Sequence, residues 1–564
     1  MRFARFAMPR VSPSPLALSI AALSLGLVAG QAAAAEWFVS NTGNDSTGNG
    51  SLASPYKTIK RGISAARSGD IITVRGPAGN NTYIECEVRL RVPLTLRSYT
   101  GERAHISCPV TTADSSTVVI DPAASGSKVS NLEISGGQYY GVMMRTNWEQ
   151  TGPASATGAS DIVLEDLVIH DTGRDGIKIT PKSNRVTVRR VEIYNTGVGY
   201  PAGTSNENKN ADGIDNVNGS GMLVEDSYIH DTATTGLYFK GGAADVVIQR
   251  NRIENTGDAG ILIGFDTSPE FFDLAINPQY YEAVRGIVRN NVVRNTGYAG
   301  IGLYASRDSI VANNTIINAA QKGHAAIYFG VTFQDWDERA GRPANINPRL
   351  VNNLVLQGSG RCVDIRYSSE LGGLSGLSGS INSDWNGYLN TGCTFRDGRP
   401  GSAISSGGTL AQWRTAMNAD GNSKLAAYTV TATGRLPANS PAINAGTTVA
   451  QVSDDIDKQA RVVPYDLGAD EYQGGTSTVT VRRTGSQPLV AGAAVTASSL
   501  PTTAASVPVA VASSTTAAAS NTADTVAATP AATSSSNVRV TAPLTLAWLR
   551  LKVWANHLRT QLLD

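Results

Sequence analysis

Self-similarity between about residues 130 and 330, paired β-branched runs in every repeat, and abundant glycine with only 6% aromatics predict an all-β fold, a parallel β-helix solenoid. The repeats read IVLEDLVIHDTGRDGIKIT, VTVRRVEIYNTG, MLVEDSYIHDTATTGLYFK, VVIQRNRIENTGDAGILIG, IVRNNVVRNTGYAGIGLY and IVANNTIINAAQKGHAAIYF. They align Asp171, Asn195, Asp231, Asn255, Asn295 and Asn318 at gaps of 24, 36, 24, 40 and 23 residues. Two gaps therefore hold a coil plus about 12 and 16 extra residues. Each repeat has two short runs separated by a turn of the Asn/Asp-Thr-Gly kind, with no sustained helical period. So short a unit cannot bury its own apolar face, and stacked coils must supply the core. A leucine-rich repeat has a similar period but demands a leucine scaffold with a fixed asparagine, a pattern expected to be absent from these repeats. The Asp/Asn column reads as a structural turn ladder rather than a ligand set.

The elements follow in chain order. Residues 1–35 read as a signal peptide: Arg2, Arg5 and Arg10, an apolar run Leu16 to Ala29, and cleavage near Ala34 or Ala35. A secreted or cell-envelope protein is expected. Residues 36–110 form an N-terminal cap and first coils, in which Ser54 is expected to cap a helix opened by Pro55, with Ile59, Ile63 and Ala66 on one face. That helix would cover the open strand edges of the first coil. The β-helix proper spans 111–400 and a closing region 401–474. Residues 475–540, rich in Ala, Ser and Thr, read as a disordered linker or stalk. In 541–564, Leu544, Trp548, Leu551, Ala555, Leu558 and Leu562 recur at helical spacing, which suits either contact with a membrane surface or partner protein, or packing on its own domain. A net charge of +1, from 47 basic and 46 acidic residues, excludes a nucleic-acid binder that works through a basic surface. A monomer is expected. Four cysteines in an exported chain can pair: Cys86 and Cys108 lie 22 residues apart, about one coil, and Cys362 with Cys393 would make the second bridge, although spacing alone does not fix the connectivity.

Alternation along the strand after each glycine sends Ile177, Ile179, Leu237, Phe239, Ile261, Ile263, Ile301 and Leu303 inward. The first outward column then reads Met143, Lys178, Asp215, Tyr238, Leu262 and Gly302, and the next Arg145, Thr180, Val217, Lys240, Gly264 and Tyr304. Before the glycine stand Asp175, Asp212, Thr235, Ala259 and Ala299. Asp175, Lys178, Asp212, Asp215 and Lys240 are thus expected on three neighbouring rungs of one face. Insertions at 199–210 and about 267–283, with Asn206, Glu207 and Asn208 in the first and Asp266, Glu270 and Asp273 around the second, would wall a groove.

Such a patch suits β-elimination from a uronate polymer. The proton beside a charged carboxylate is weakly acidic, and a calcium ion on that carboxylate stabilises the enolate-like transition state. Calcium takes several hard oxygens, which Asp175, Asp212 and Asp215 offer. Lysine serves as base where cations or desolvation favour the neutral amine. Arg145 and Arg174 are candidates for the substrate carboxylate, and Tyr238, Tyr304 and Tyr328 for stacking on sugar rings. Against this, outward Asp and Lys are ordinary on a solvated sheet, and Lys178 could compete for the role of base, or ion-pair with Asp215 and leave no metal site. His170-Asp171 and His230-Asp231 recur at one coil position, where alternation would point the two neighbours apart. Asp212 with Asp215 or Asp175 also leaves glycoside hydrolysis open. A C5-epimerase shares the first proton abstraction, and a non-catalytic glycan-binding or surface β-helix is the rival from another class.

Trp37-Phe38-Val39-Ser40, Ser54-Pro55-Tyr56-Lys57-Thr58-Ile59 and Gly69-Asp70-Ile71-Ile72-Thr73-Val74 resemble the opening of secreted right-handed parallel β-helix proteins. Ser440-Pro441-Ala442-Ile443-Asn444-Ala445-Gly446 and Asp466-Leu467-Gly468-Ala469-Asp470-Glu471-Tyr472 resemble their close. Within that class, Asn210-Ala211-Asp212-Gly213-Ile214-Asp215 resembles the calcium strand of pectate lyases that use aspartate-bound calcium and a lysine base. The resemblance implies Lys240 as base, with Lys178 as the second candidate, Asp175, Asp212 and Asp215 as calcium ligands, and an acidic polysaccharide as partner. Gly213 stands where an adjacent aspartate pair would be completed.

Overall fold

In the computed structural model, which describes residues 34–205, 209–332 and 343–474, nearly every strand pairing is parallel. The expected signal peptide, the Asn206-Glu207-Asn208 wall, the linker 475–540 and the helix 541–564 lie wholly or almost wholly outside those residues. Three long sheets of 11, 12 and 12 strands run the length of the solenoid, with a narrow five-stranded sheet beginning at Ala243–Ala244. Strands are mostly three or four residues long, because each coil turns after a few rungs of alternation. All eight residues assigned inward are fully buried, within one continuous core that runs from Val39 to Met417. Among the described residues no helix is long and apolar enough to cross a membrane.

The turn ladder is real. Asp171, Asn195, Asp231, Asn255, Asn295 and Asn318 all sit at φ 49–56°, the left-handed region that Asn and Asp tolerate. Asn195 donates to Asp171, and Asn255, Asn295 and Asn318 each donate to the preceding member at 3.0–3.1 Å. A fixed asparagine does exist, however. Asn251, Asn291, Asn314, Asn353 and Asn386 are fully buried and chained Nδ2 to Oδ1 at 3.0–3.1 Å. This inner ladder stands in the polar step between the two runs of each coil, inside RNRIE, RNNVV, ANNTI and NNLVL, where it is easily taken for part of the turn.

The capping helix spans Ile59–Ala65, and its N-cap is Thr58 rather than Ser54. Thr58 Oγ1 accepts from Arg61 N at 3.2 Å, Asp45 grips Thr58 through both carboxylate oxygens, and Glu85 accepts from Ile59 N and Lys60 N. Carboxylates at both positions satisfy amide groups that the first turn leaves free. Ile59 and Ile63 are buried as expected, whereas Ala66 ends the helix. At the other end the helix Leu410–Met417, with a Thr409/Gln412 capping box, seats Trp413 in the core. The chain then runs back along the solenoid: Asp454 binds Arg250 and Arg289, and buried Arg461 reaches Asn290 Oδ1 at 2.9 Å and Glu471 at 3.0 Å. Both disulfides are present, Cys86–Cys108 and Cys362–Cys393.

Candidate active site on the outward strip of one sheet

The 11-stranded sheet carries the charged strip. Register pairs Met143 with Lys178, Lys178 with Asp215, Asp215 with Tyr238, Tyr238 with Leu262 and Leu262 with Gly302, the column expected from alternation. Val217 pairs with Lys240 in the adjoining column. Gly176 N donates to Asp212 O and Gly213 N to Thr235 O, so Asp175, Asp212 and Thr235 stack just before the strands. The glycines there are required for close stacking: a Cβ on Gly213 would meet Gly236 O at 2.3 Å. This also accounts for Gly213 where a second aspartate of a pair would stand.

Asp175, Asp212 and Asp215 are buried, with one carboxylate oxygen from each lying within 4.8 Å of the others. Their anchors are specific. Asp175 Oδ1 accepts from Asp212 N at 2.9 Å, and Asp212 Oδ1 accepts from Thr234 Oγ1 at 2.7 Å and Thr235 N at 2.8 Å. Asp215 Oδ2 accepts from Lys178 Nζ in a short ion pair. Asp175 Oδ2 and Asp215 Oδ1 remain buried without a hydrogen bond. Burial, then the charges of Asp215 and Asp212, push the Asp175 carboxyl well above the usual range. Burial and then Asp215 lift Asp212 to about 6. Burial disfavours the Lys178 cation, but Asp215, Tyr140 and Asp175 outweigh it and hold the ammonium above its ordinary range. The Lys178–Asp215 ion pair is formed, yet it takes only Asp215 Oδ2, and the cluster keeps Asp175 Oδ2 and Asp215 Oδ1, two unsatisfied buried hard oxygens, as donors that could hold a calcium ion.

Lys240 is held differently. Its Nζ donates to the main-chain oxygen of Asp266 at 3.1 Å and lies 4.6 Å from the Tyr238 ring centroid and 5.4 Å from that of Phe265. The turn after it is tied down by Glu282, which accepts from Gly241 N and from Thr267 N and Oγ1. Burial lifts the Glu282 carboxyl to about 7. Tyr238 and Tyr304 are buried phenols with pKa values pushed well above 10, first by burial. Arg174 packs 4.7 Å from the Tyr139 ring centroid, and Arg145 stands half-buried one strand before Thr180. Tyr140, whose ring lies 5.7 Å from Lys178 Nζ, was not singled out from the sequence, nor were Phe265 and Glu282.

The described parts of the insertions join the strip at opposite ends of its strands. Residues 199–210 precede the strand Ile214–Val217, whereas 267–283 follow Ile261–Ile263. A further excursion, Trp148–Thr151, follows Val142–Met144 and meets the second wall: Trp148 Nε1 donates to Glu270 O at 2.9 Å, and Lys182 pairs with Asp273 at 2.5 Å. Asp273 and Glu270 are therefore bracing residues of that wall.

The His-Asp pairs depart from expectation. Left-handed φ at Asp171 (51°) and Asp231 (50°) folds each carboxylate back beside its neighbour, giving His170 Nδ1 to Asp171 at 2.8 Å and His230 Nδ1 to Asp231 at 2.6 Å. Simple alternation fails where the strand ends. His105, His170, Tyr194 and His230 then stack at 5.0–5.8 Å along a different sheet. His105, Glu133 and His170 approach within 4.8 Å, and the stack with the bonds to Asp171 and Ser135 accounts for their placement.

Residues 116–276 and 203–335 match the family model described as right handed beta helix region. Among solved structures, a pectate lyase, Pel9A, is similar at 17% identity and TM-score 0.44, over 79% of this chain and 98% of that one. A rhamnogalacturonan lyase is similar at 14% identity and TM-score 0.40, over 57% and 82%. The surface adhesin PfbA of Streptococcus pneumoniae is similar at 10% identity and TM-score 0.36, over 59% and 82%. No curated protein matches the sequence.

Proposed function

From this right-handed β-helix we propose an exported polysaccharide lyase that cleaves a uronate-containing glycan by calcium-assisted β-elimination. The observation that carries the reading is the convergence of Asp175, Asp212 and Asp215, with two unsatisfied buried oxygens, beside two lysines on the floor of a walled strip. Two disulfides support an oxidising, extracytoplasmic setting. A calcium ion held by the three aspartates would neutralise the substrate carboxylate and stabilise charge developing beside it. Lys240 is the base in this reading. It takes the C5 proton, the C4–O bond breaks, a C4=C5 double bond forms, and the departing oxygen leaves with a proton from solvent. Lys178, paired with Asp215 and held protonated, serves as counter-ion to the carboxylates. Arg145 and Arg174 flank the strip as candidates for a substrate carboxylate.

Glycoside hydrolysis is the second reading. It is favoured by the raised pKa values of Asp175 and Asp212, since a carboxyl that keeps its proton near neutrality can act as general acid. One assay separates the two: incubation with a panel of polyuronates, following ultraviolet absorbance of unsaturated products with calcium and then with chelator. Absorbance that needs calcium supports the lyase. Reducing ends without new absorbance support the hydrolase, and neither signal on any glycan leaves a binding protein.

A further inference from the structure

The same sheet continues beyond the acidic centre into a cleft of about 460 Å³ at its C-terminal end. Phe265 and Asp266, the perch of Lys240, line its near side, so cleft and strip are continuous. Its far side is built by Arg361, Arg366 and Arg396. Asp364, 1% exposed, accepts from Arg396 Nε at 2.7 Å and Arg361 Nη1 at 2.9 Å, so one buried carboxylate orients two guanidiniums. Each of those keeps further N–H donors, and three guanidiniums face two lining carboxylates. Between the two ends lies an aromatic floor: His324 stacks on Tyr328 at 4.0 Å, and Tyr304 lies 5.9 Å from Tyr328. Gly330 keeps that floor low, since a Cβ there would meet Tyr304 Cε1 at 2.0 Å. Burial, and then Arg366, hold His324 down at about 4, so above that pH the ring is a neutral stacking surface.

We propose that this cleft is an anion-recognising subsite that holds a carboxylate-bearing sugar of the same polymer whose reacting unit lies at the Asp/Lys centre. The inference rests on the polyuronate reading of the strip and adds a direction and a length to it. Asp215 connects to Asp364 through five register steps, by way of Tyr238, Leu262, Gly302 and Tyr328. At ~4.8 Å per rung these ends lie roughly 24 Å apart, so the glycan runs along the solenoid axis over several sugars. Guanidinium forks suit planar carboxylates, and the rings between them suit sugar faces. Oligomers too short to reach the arginines lose that contact.

The test is calorimetric binding of oligogalacturonates, from dimer to octamer, to the full-length chain carrying Lys240→Ala so that no product forms, with calcium present. Affinity is expected to climb once the oligomer spans both ends. Arg366→Gln is expected to remove about tenfold of the long-chain affinity and leave short oligomers unchanged. Carboxyl-reduced octamer should behave like a short oligomer. Arg396→Gln, read only with circular dichroism matching the parent because it also pairs with Asp364, provides the second variant. Long-chain affinity unchanged in both variants, or no dependence on length, overturns the proposal. Failure is distinguishable from that of the lyase reading: arginine-dependent binding without unsaturated product on wild type keeps the subsite and loses the lyase. Turnover with unaltered binding in the arginine variants does the reverse.

Discussion

The two ends of the outward strip share a scaffold and neutralise buried charge in opposite ways. At the N-terminal end three carboxylates gather beside one half-buried ammonium, Lys178, and burial, then the excess of negative charge, raises the Asp175 and Asp212 pKa values. At the C-terminal end one carboxylate, Asp364, serves Arg361 and Arg396, with Arg366 beside them. One end is built to attract a cation and the other an anion, and the tyrosines between carry little charge. A β-helix can do this because its outward columns pack separately from the continuous inward core.

Several variants would break or sharpen that contrast. Lys240→Ala should lower turnover by roughly a thousandfold in the absorbance assay with calcium, the scale of a lost general base; activity retained would remove Lys240 from the chemistry. Asp215→Ala leaves the half-buried Lys178 ammonium without its counter-ion and should cost about 3 kcal/mol in denaturant unfolding. Asp364→Ala should cost less, about 1–2 kcal/mol, because guanidiniums are more weakly hydrated than an ammonium and Arg361, at 35% exposure, can turn to water, although Arg396 at 19% is as enclosed as Lys178 at 17%. Equal losses at the two sites would refute the asymmetry. Gly330→Ala should displace Tyr304 at a cost of about 1 kcal/mol, seen as weakened long-oligomer binding with the calcium response intact.

The smallest effect is in pH. Asp212 is held near 6 against an ordinary 3.8, so its burial is harmless below the lower value and penalised as pH rises to the upper one. Metal-free protein should therefore lose stability through that window. Calcium requires ionised carboxylates, so its stabilising effect should grow over the same range. Melting temperatures with calcium and with chelator should nearly coincide at pH about 4.5 and separate by a few degrees at pH about 7.5. A calcium shift that is largest at low pH would exclude this carboxylate set.

Much of the strip was legible because strand alternation is local. Once Ile177 and Ile179 are inward, Lys178 must face out, and the same holds for Tyr238 between Leu237 and Phe239. The arginine end was not legible. The coil around Arg361–Ile365 lacks the Asn/Asp-Thr-Gly signature that brought the earlier coils into alignment, and the Asn390-Thr391-Gly392 before Thr394–Asp397 stands beyond the aligned stretch that ends near residue 330. Irregular spacing from Tyr328 to Asp364 to Arg396 then hid a column that only register reveals. The His170-Asp171 contact was missed for a related reason, a left-handed turn residue that reverses the expected direction.

By itself the sequence determined the solenoid, its inward residues, its turn ladder and the outward columns of the regular coils, because period and alternation are properties of neighbouring residues. Tertiary structure alone decided that Lys178 pairs with Asp215, that the described parts of the insertions join the strip at opposite ends of its strands, and that Arg361, Arg366 and Arg396 gather beyond it. Those facts depend on how coils of unequal length are stacked. A stacking register joins residues tens of positions apart, and no local pattern carries it.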